Sequence, residues 1–296
     1  MGRTQIVACV IVGLWASGIV GCTKERPITV GSKNFTEQVI LGEIVAQHLE
    51  HRLGRHVDRK LNLGGTMLAH QALVRGEIDL YPEYTGTALT AILKLAPTSD
   101  PAAAMALVRT EYHTRFGVEW MDPLGFNNTF AMVIRGEDAR KSKTATLSEA
   151  ALYSPGWNLG VGYEFQQRSD GLAGLLKTYH LPILGSPKTM DLGLLYKALE
   201  QQQVNMVAGN ATDGQLSVLD VLVLRDDKRY FPPYDCALAV RSKSLEANPP
   251  LRQALTELAG LFTDLTMRKL NYQVDAAHRP VREVAEQFLR DAGLRR

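Results

Sequence analysis

Apolar and polar positions divide the chain into short apolar runs and longer stretches with helical spacing. Ile28 to Ser32 forms a compact strand-like run, and Val39, Ile40, Ile44, Val45 and Leu49 then recur at helical spacing over residues 36–53. The order repeats. Residues 57–63 read as a strand, 64–66 as a turn, and 67–75 as a helix closed by Gly76. Ile78 to Pro82 reads as a third strand stopped by its proline, with a helix over 88–95 after it.

Beyond the loop from Pro97 to Pro101, the spacing predicts an amphipathic helix through Tyr112, a strand from Phe130 to Ile134, and a polar stretch over 135–146. A second round has strands over 159–162, 206–209 and 219–224, and a helix over 171–179. Helical spacing returns over 251–267 and 281–289. Strands alternating with helices predict an α/β fold with helices on the sheet faces. Two lobes are expected, the last helices returning to the first.

The first residues belong to a different class. Arg3 precedes an apolar run from Ile6 to Val20, too short to span a bilayer comfortably, and residues 1–21 therefore read as a signal peptide. Ile19-Val20-Gly21-Cys22 resembles a bacterial lipobox, which would make Cys22 a lipidated first residue and 22–27 a linker. Of three cysteines, Cys9 leaves with the signal and Cys22 is modified, so Cys236 has no partner and reads as a small buried hydrophobe.

Charge and motif content exclude several classes. With 33 Lys and Arg against 31 Asp and Glu, scattered rather than blocked, the net charge of +2 argues against a nucleic-acid partner. No second long apolar segment occurs, so a membrane pore would have to be another polypeptide. CxxC, HExxH, GxSxG, Walker and GxGxxG patterns are all missing, and no metal or cofactor is expected. His70, beside Gln71 in a helix, reads as solvated. In α/β folds, ligands sit where loops after strands meet helix N-termini. Here the loops over 33–38, 65–66, 81–87, 127–130, 163–171, 210–214 and 231–234 combine hydroxyls, amides and aromatics.

Those loops carry a resemblance. Gly31-Ser32-Lys33-Asn34-Phe35-Thr36-Glu37-Gln38 is similar to the opening motif of the osmoprotectant-binding proteins, which serve importers of glycine betaine, carnitine and choline. Gly76 to Thr87, Gly125 to Phe130, Ala211 to Gly214 and Asp226 to Tyr234 continue it in family order. The resemblance implies a two-lobed periplasmic-binding-protein fold of type II, with lobe one over 28–129 and 236–296 and lobe two over 130–235. It implies capture of a quaternary-ammonium solute by a monomer anchored through Cys22 on the outer face of a membrane, delivery to an ABC permease, and no catalysis.

A trimethylammonium has no N–H to donate, so it is held by aromatic faces. By motif position the implied faces are Tyr84, Phe130 and Tyr234, and Gln38 and Thr66 are the leading partners for the ligand's polar end. Asn128 and Thr129 are further donors. Lys33 is read either as a donor or as a surface charge, and Asn34 either as a donor or as a helix cap. A fourth wall is expected where this chain has Asn210. An amide offers no such face, which keeps a betaine-containing thiol-imidazole such as ergothioneine, an amino-acid-like solute, or an enzyme on the same fold as alternatives. Tyr163 and Phe165 are possible replacement walls, and Phe165 is expected in the core. Asp213 is expected to brace its loop.

Overall fold

The computed structural model describes residues 26–295, so the predicted signal peptide and Cys22 lie outside the described residues. The first lobe begins with β1 (Ile28–Gly31), α1 (Thr36–Leu53), β2 (Val57–Lys60), α2 (Thr66–Arg75) and β3 (Leu80–Tyr84). β2 ends earlier than its apolar pattern suggests, because Asn62 turns into the left-handed region at φ 62°. α3 (Thr85–Thr87) runs into a π-helical turn over Ala88–Ile92, in place of the regular helix that the spacing predicts. α4 (Pro101–Phe116) starts on an Asp100 cap, with Pro101 in its first turn, and leads to β4 (Val118–Trp120).

Pro82 does not stop β3 but lies inside it, opposite Leu238 of a strand returning from the far end of the chain. Thr85 N–H donates to the Asp235 carbonyl and Arg241 N–H to that of Asp79, so the intervening Pro82 falls at a non-hydrogen-bonded pair. Its missing N–H faces β1, whose pairing with β3 is confined to Val30 and Leu80. The proline therefore costs the sheet no bond.

The second lobe contains β5 (Phe130–Arg135), α5 (Gly136–Ser142), α6 (Leu147–Ala150), β6 (Leu159–Val161), α7 (Tyr163–Gln167), α8 (Leu172–Tyr179), β7 (Lys188–Thr189), α9 (Leu195–Glu200), β8 (Met206–Asn210) and β9 (Val221–Val223). α5, α7 and α9 occupy stretches whose pattern shows no helix, since seven residues or fewer are too short to display a period. The chain then returns through β10 (Cys236–Arg241) to α10 (Ser242–Ala247), α11 (Pro249–Thr256), α12 (Asp264–Asp275) and α13 (Val281–Asp291). The single helix predicted over 251–267 is two helices. Gly260 breaks it at φ 69°, and the Thr263 hydroxyl restarts it by accepting from the Thr266 N–H.

The strand orders are β2-β1-β3-β10-β4 and β7-β6-β8-β5-β9. Each sheet carries an apolar core on both faces, and Phe130 and Phe231 pack against cores of both sheets. The two segments that cross between the sheets pair with each other. Asn128 N–H donates to the Tyr234 carbonyl, Cys236 N–H donates to that of Phe126, and Asn127 bridges Asp235. Cys236 is fully buried in this ladder.

Candidate functional site

A cleft of about 760 Å³ lies between the sheets, lined from both sides and from the crossing segments. On the first side, the loop after β1 puts Lys33, Asn34 and Phe35 at the entry to α1. Lys33 is not a surface charge. It is 3 % exposed, its Nζ lies 2.6 Å from Glu83 Oε1, and Tyr81 Oη donates to the other oxygen of that carboxylate. The same ammonium stands 4.7 Å from the Tyr84 ring centroid and 5.9 Å from that of Phe35. Asn34 is exposed at the rim and does not cap α1, whose N-cap position is Phe35.

Tyr84 ends β3 and presents its ring to the cleft. Its hydroxyl donates to Glu37 Oε1 at 2.6 Å and accepts from Gln38 Nε2 at 3.1 Å. Gln38 is fully buried behind Tyr84 and does not line the cleft; it fixes the ring, and its Oε1 accepts from Lys33 N–H. Glu37, in the same opening motif, accepts from Tyr84, Asn128, Thr212 and Asn271. Burial pushes its pKa above the usual carboxylate value, and these four donors oppose that shift without cancelling it.

On the second side, Phe130 of β5 stands directly opposite Asn210 of β8. Ala211 N–H donates to the Thr129 carbonyl, so the Phe130 and Asn210 positions form a non-hydrogen-bonded pair, the kind that brings side chains closest. Both line the cleft. Asp213 braces this turn, as its place in the motif suggests, by accepting from the Asn210 N–H and from Tyr196 Oη, at 2.7 and 2.8 Å. Its pKa is raised to about 6, first by burial.

Tyr234 belongs to the second crossing segment and packs edge-on against Phe130, with ring centroids 5.6 Å apart. Gly86 lies flat against it: a Cβ there would come within 2.7 Å of the ring. The Tyr234 hydroxyl donates to Asp170 Oδ2, which also accepts from Thr90 Oγ1. Asp170 in turn pairs with Arg168, whose guanidinium carbon lies 5.2 Å from the Phe130 centroid and 5.6 Å from that of Tyr234. Arg168 also donates to Thr87 Oγ1 in the first lobe, so the pair spans the cleft.

Eight of the ten residues singled out as ligand contacts converge on the cleft: Lys33, Asn34, Thr66, Tyr84, Asn128, Phe130, Asn210 and Tyr234. Gln38 and Thr129 do not line it. Thr66, at the first turn of α2, is bonded to Glu164 of α7 across the cleft. Burial alone would raise the Glu164 pKa, but the Lys33 and Arg168 charges and the Thr66 bonds hold it below the ordinary value. Tyr163 is 56 % exposed at the mouth, and Phe165 is in the core, edge-on to Phe130. His70 is buried against Tyr112 and Phe116 rather than solvated. Glu37, Glu164 and Phe35 carry no residue-type signal for this ligand chemistry. Only their positions in loops that open helices pointed towards them. Among the described residues, no group of three His, Cys, Asp or Glu side chains is placed to hold a metal ion.

The family described as the substrate binding domain of ABC-type glycine betaine transport systems matches residues 26–291. The chain is 37 % identical over 273 residues to the ergothioneine transport permease/ergothioneine binding protein EgtU of Helicobacter pylori. That match covers 92 % of this chain and 48 % of the relative, so the chain spans about half of that protein's length. It is 32 % identical over 274 residues to the carnitine transport binding protein OpuCC of Listeria monocytogenes, covering 92 % and 88 % of the two chains. Among solved structures it resembles a glycine betaine/carnitine/choline ABC transporter protein, with TM-score 0.76, 31 % identity, and 90 % and 99 % of the chains covered. The two-sheet architecture is that of the two-lobed periplasmic binding proteins.

Proposed function

The chain belongs to the family of substrate-binding domains of ABC-type glycine betaine transport systems, and on that premise we propose that it captures a small quaternary-ammonium solute with Tyr84, Phe130 and Tyr234 as its aromatic faces. The solute is of the glycine betaine, carnitine or choline kind. One observation carries the reading: rings from both lobes and a crossing segment face one cleft whose ionisable lining is Glu37, Glu164, Asp191, Asp213 and Asp275 against Lys33 and Arg168. A surplus of acidic groups around aromatic faces suits a permanent cation. Each well-placed ring contributes about 0.5–2 kcal/mol. That Lys33 and Arg168 already lie within cation–π range of these rings supports the same chemistry.

A second reading has one specific support. Asn210 in place of an aromatic wall, together with 37 % identity to a protein named for ergothioneine, favours a betaine that also carries a polar ring. Calorimetric titration with glycine betaine, carnitine, choline, proline betaine and ergothioneine tests both. Saturable one-to-one binding of at least one is expected. Heat from none of them, with the protein folded, would remove the quaternary-ammonium reading.

In this account the solute passes to ABC permease subunits, and the binding protein acts as a monomer held at the membrane by lipid on Cys22. Cys22→Ala should release it into the soluble fraction, and undiminished membrane attachment would refute the anchor. The lobes, residues 28–129 with 236–296 and residues 130–235, hinge where Phe126 to Asn128 pairs with Tyr234 to Cys236. Small-angle scattering should record a smaller radius with saturating ligand; an unchanged radius argues against closure.

A further inference from the structure

At the first turn of α2, the Thr66 N–H and Oγ1–H both donate to the Glu164 carboxylate, at 2.6 and 3.0 Å. Glu164 stands on α7 in the opposite lobe. A Cβ on Gly65 would come within 2.7 Å of its Oε1, so the carboxylate lies close against the glycine backbone. A helix N-terminus with free N–H groups is where a soluble carboxylate would bind, and here a protein side chain has taken that place. The other strong donors of the cleft are also committed, Lys33 to Glu83 and Arg168 to Asp170 and Thr87. Two acceptors are not. Asn128 and Asn271 both donate their amide N–H to Glu37, which leaves Asn128 Oδ1 and Asn271 Oδ1 buried without partners. The two residues are 8 % and 3 % exposed and both line the cleft.

We propose that Glu164 is a specificity-determining residue: it competes with a ligand carboxylate for Thr66 and biases the cleft towards quaternary-ammonium solutes whose other end is a hydroxyl or N–H donor. This rests on the quaternary-ammonium reading above. A carboxylated ligand must displace Glu164 from Thr66 or leave its own carboxylate unpaired beside it. A ligand ending in a donor leaves the Glu164 contact intact and brings no second carboxylate beside it. Selectivity is a difference of two affinities, and part of it here is a built-in repulsion.

The test is the ratio of glycine betaine to choline affinity, measured by calorimetry on the mature wild-type protein, Glu164→Gln and Glu164→Ala, each confirmed folded by its melting transition. Gln removes the charge and keeps one acceptor, whereas Ala empties the site, so a folding defect in one variant leaves the other informative. Competition predicts that the ratio rises about tenfold or more in favour of betaine in both variants. If Glu164 served only to hold the lobes together, both affinities would fall by a common factor. A ratio unmoved to within about twofold, with both compounds still bound, would overturn the proposal and leave the proposed function standing. Binding of neither compound to any of the three proteins would overturn this proposal and leave the quaternary-ammonium reading to carnitine, proline betaine and ergothioneine.

Discussion

Thr212 of the second lobe donates its hydroxyl to Glu37, which opens the first helix of the other lobe, while Asn271 of α12 donates to both the Glu37 carboxylate and the Thr212 carbonyl. Gly214 allows this closeness, since a Cβ there would meet the α12 backbone at Tyr272 N at 2.4 Å. One buried carboxylate thus ties Tyr84, a crossing segment and both lobes together. Glu37→Gln would turn an amide N–H towards one amide donor and one hydroxyl, either Asn128 with Tyr84 or Asn271 with Thr212, and lose the charge that four bonds converge on. A loss of about 2–3 kcal/mol in urea unfolding is expected, and about 1–2 kcal/mol for Thr212→Val. Variants within experimental scatter of wild type would contradict the role of Glu37 as a brace.

At Tyr84 and Tyr234 the ring and the hydroxyl have separable tasks. The hydroxyls serve Glu37 and Asp170, whereas the rings face the cleft. Tyr→Phe at either site should keep affinity within about threefold of wild type while costing about 1 kcal/mol of stability. Tyr→Leu should cost about tenfold in affinity for the quaternary-ammonium ligand. Calorimetry on the paired variants checks this. Equal losses for Phe and Leu would assign the effect to the hydroxyls instead.

Much of this was legible in the sequence because the site is built from loops that follow strands, and loops carry their chemistry locally. β1, β2, β3, β5, β6, β8 and β9 were readable from period, as were α1, α2 and α13, and the aromatic positions from motif order; β4, β7 and β10 were not. Pro82 misled because its consequence depends on which side of β3 lacks a partner, a property of the assembled sheet. Lys33 stayed open between donor and surface charge for a similar reason: its burial depends on Glu83, fifty residues away. The pairing of Glu164 with Thr66, and the convergence on Glu37, join residues from separate lobes and have no local signature. α7 and α9 were too short to show a period.

Because Asn210 stands opposite Phe130 on adjacent strands, Asn210→Tyr should place a new ring beside an existing one at the cleft surface. About tenfold tighter binding of glycine betaine is expected. Gly86→Ala works in the opposite direction, since its methyl would displace the Tyr234 ring and crowd the Pro233 carbonyl, and weaker binding with a lowered melting point is expected. Titration of both variants decides. An Asn210→Tyr protein that folds but binds nothing would indicate a ligand held by the amide.

Asp213 gives stability a defined pH dependence. Its folded-state pKa, about 6 against an ordinary 3.8, means that the folded protein holds the proton more tightly than the unfolded chain. The Asp213 contribution to stability therefore falls as pH rises through about 4 to 6, and its ionisation costs the folded state on the order of 3 kcal/mol. Asp213→Asn removes that cost while keeping one acceptor. Its melting temperature relative to wild type should rise between about pH 4 and pH 7. A constant difference across that range would contradict the assignment.

The central claim is that aromatic faces and surrounding carboxyl groups select a permanent positive charge. It is tested most directly by titrating choline against its neutral isostere, in which a tert-butyl group replaces the trimethylammonium at nearly the same shape. Saturable binding of choline is expected, with at least about tenfold weaker binding of the neutral compound. Equal affinity for the two would show that shape and apolar contact alone fill the cleft, and would contradict it.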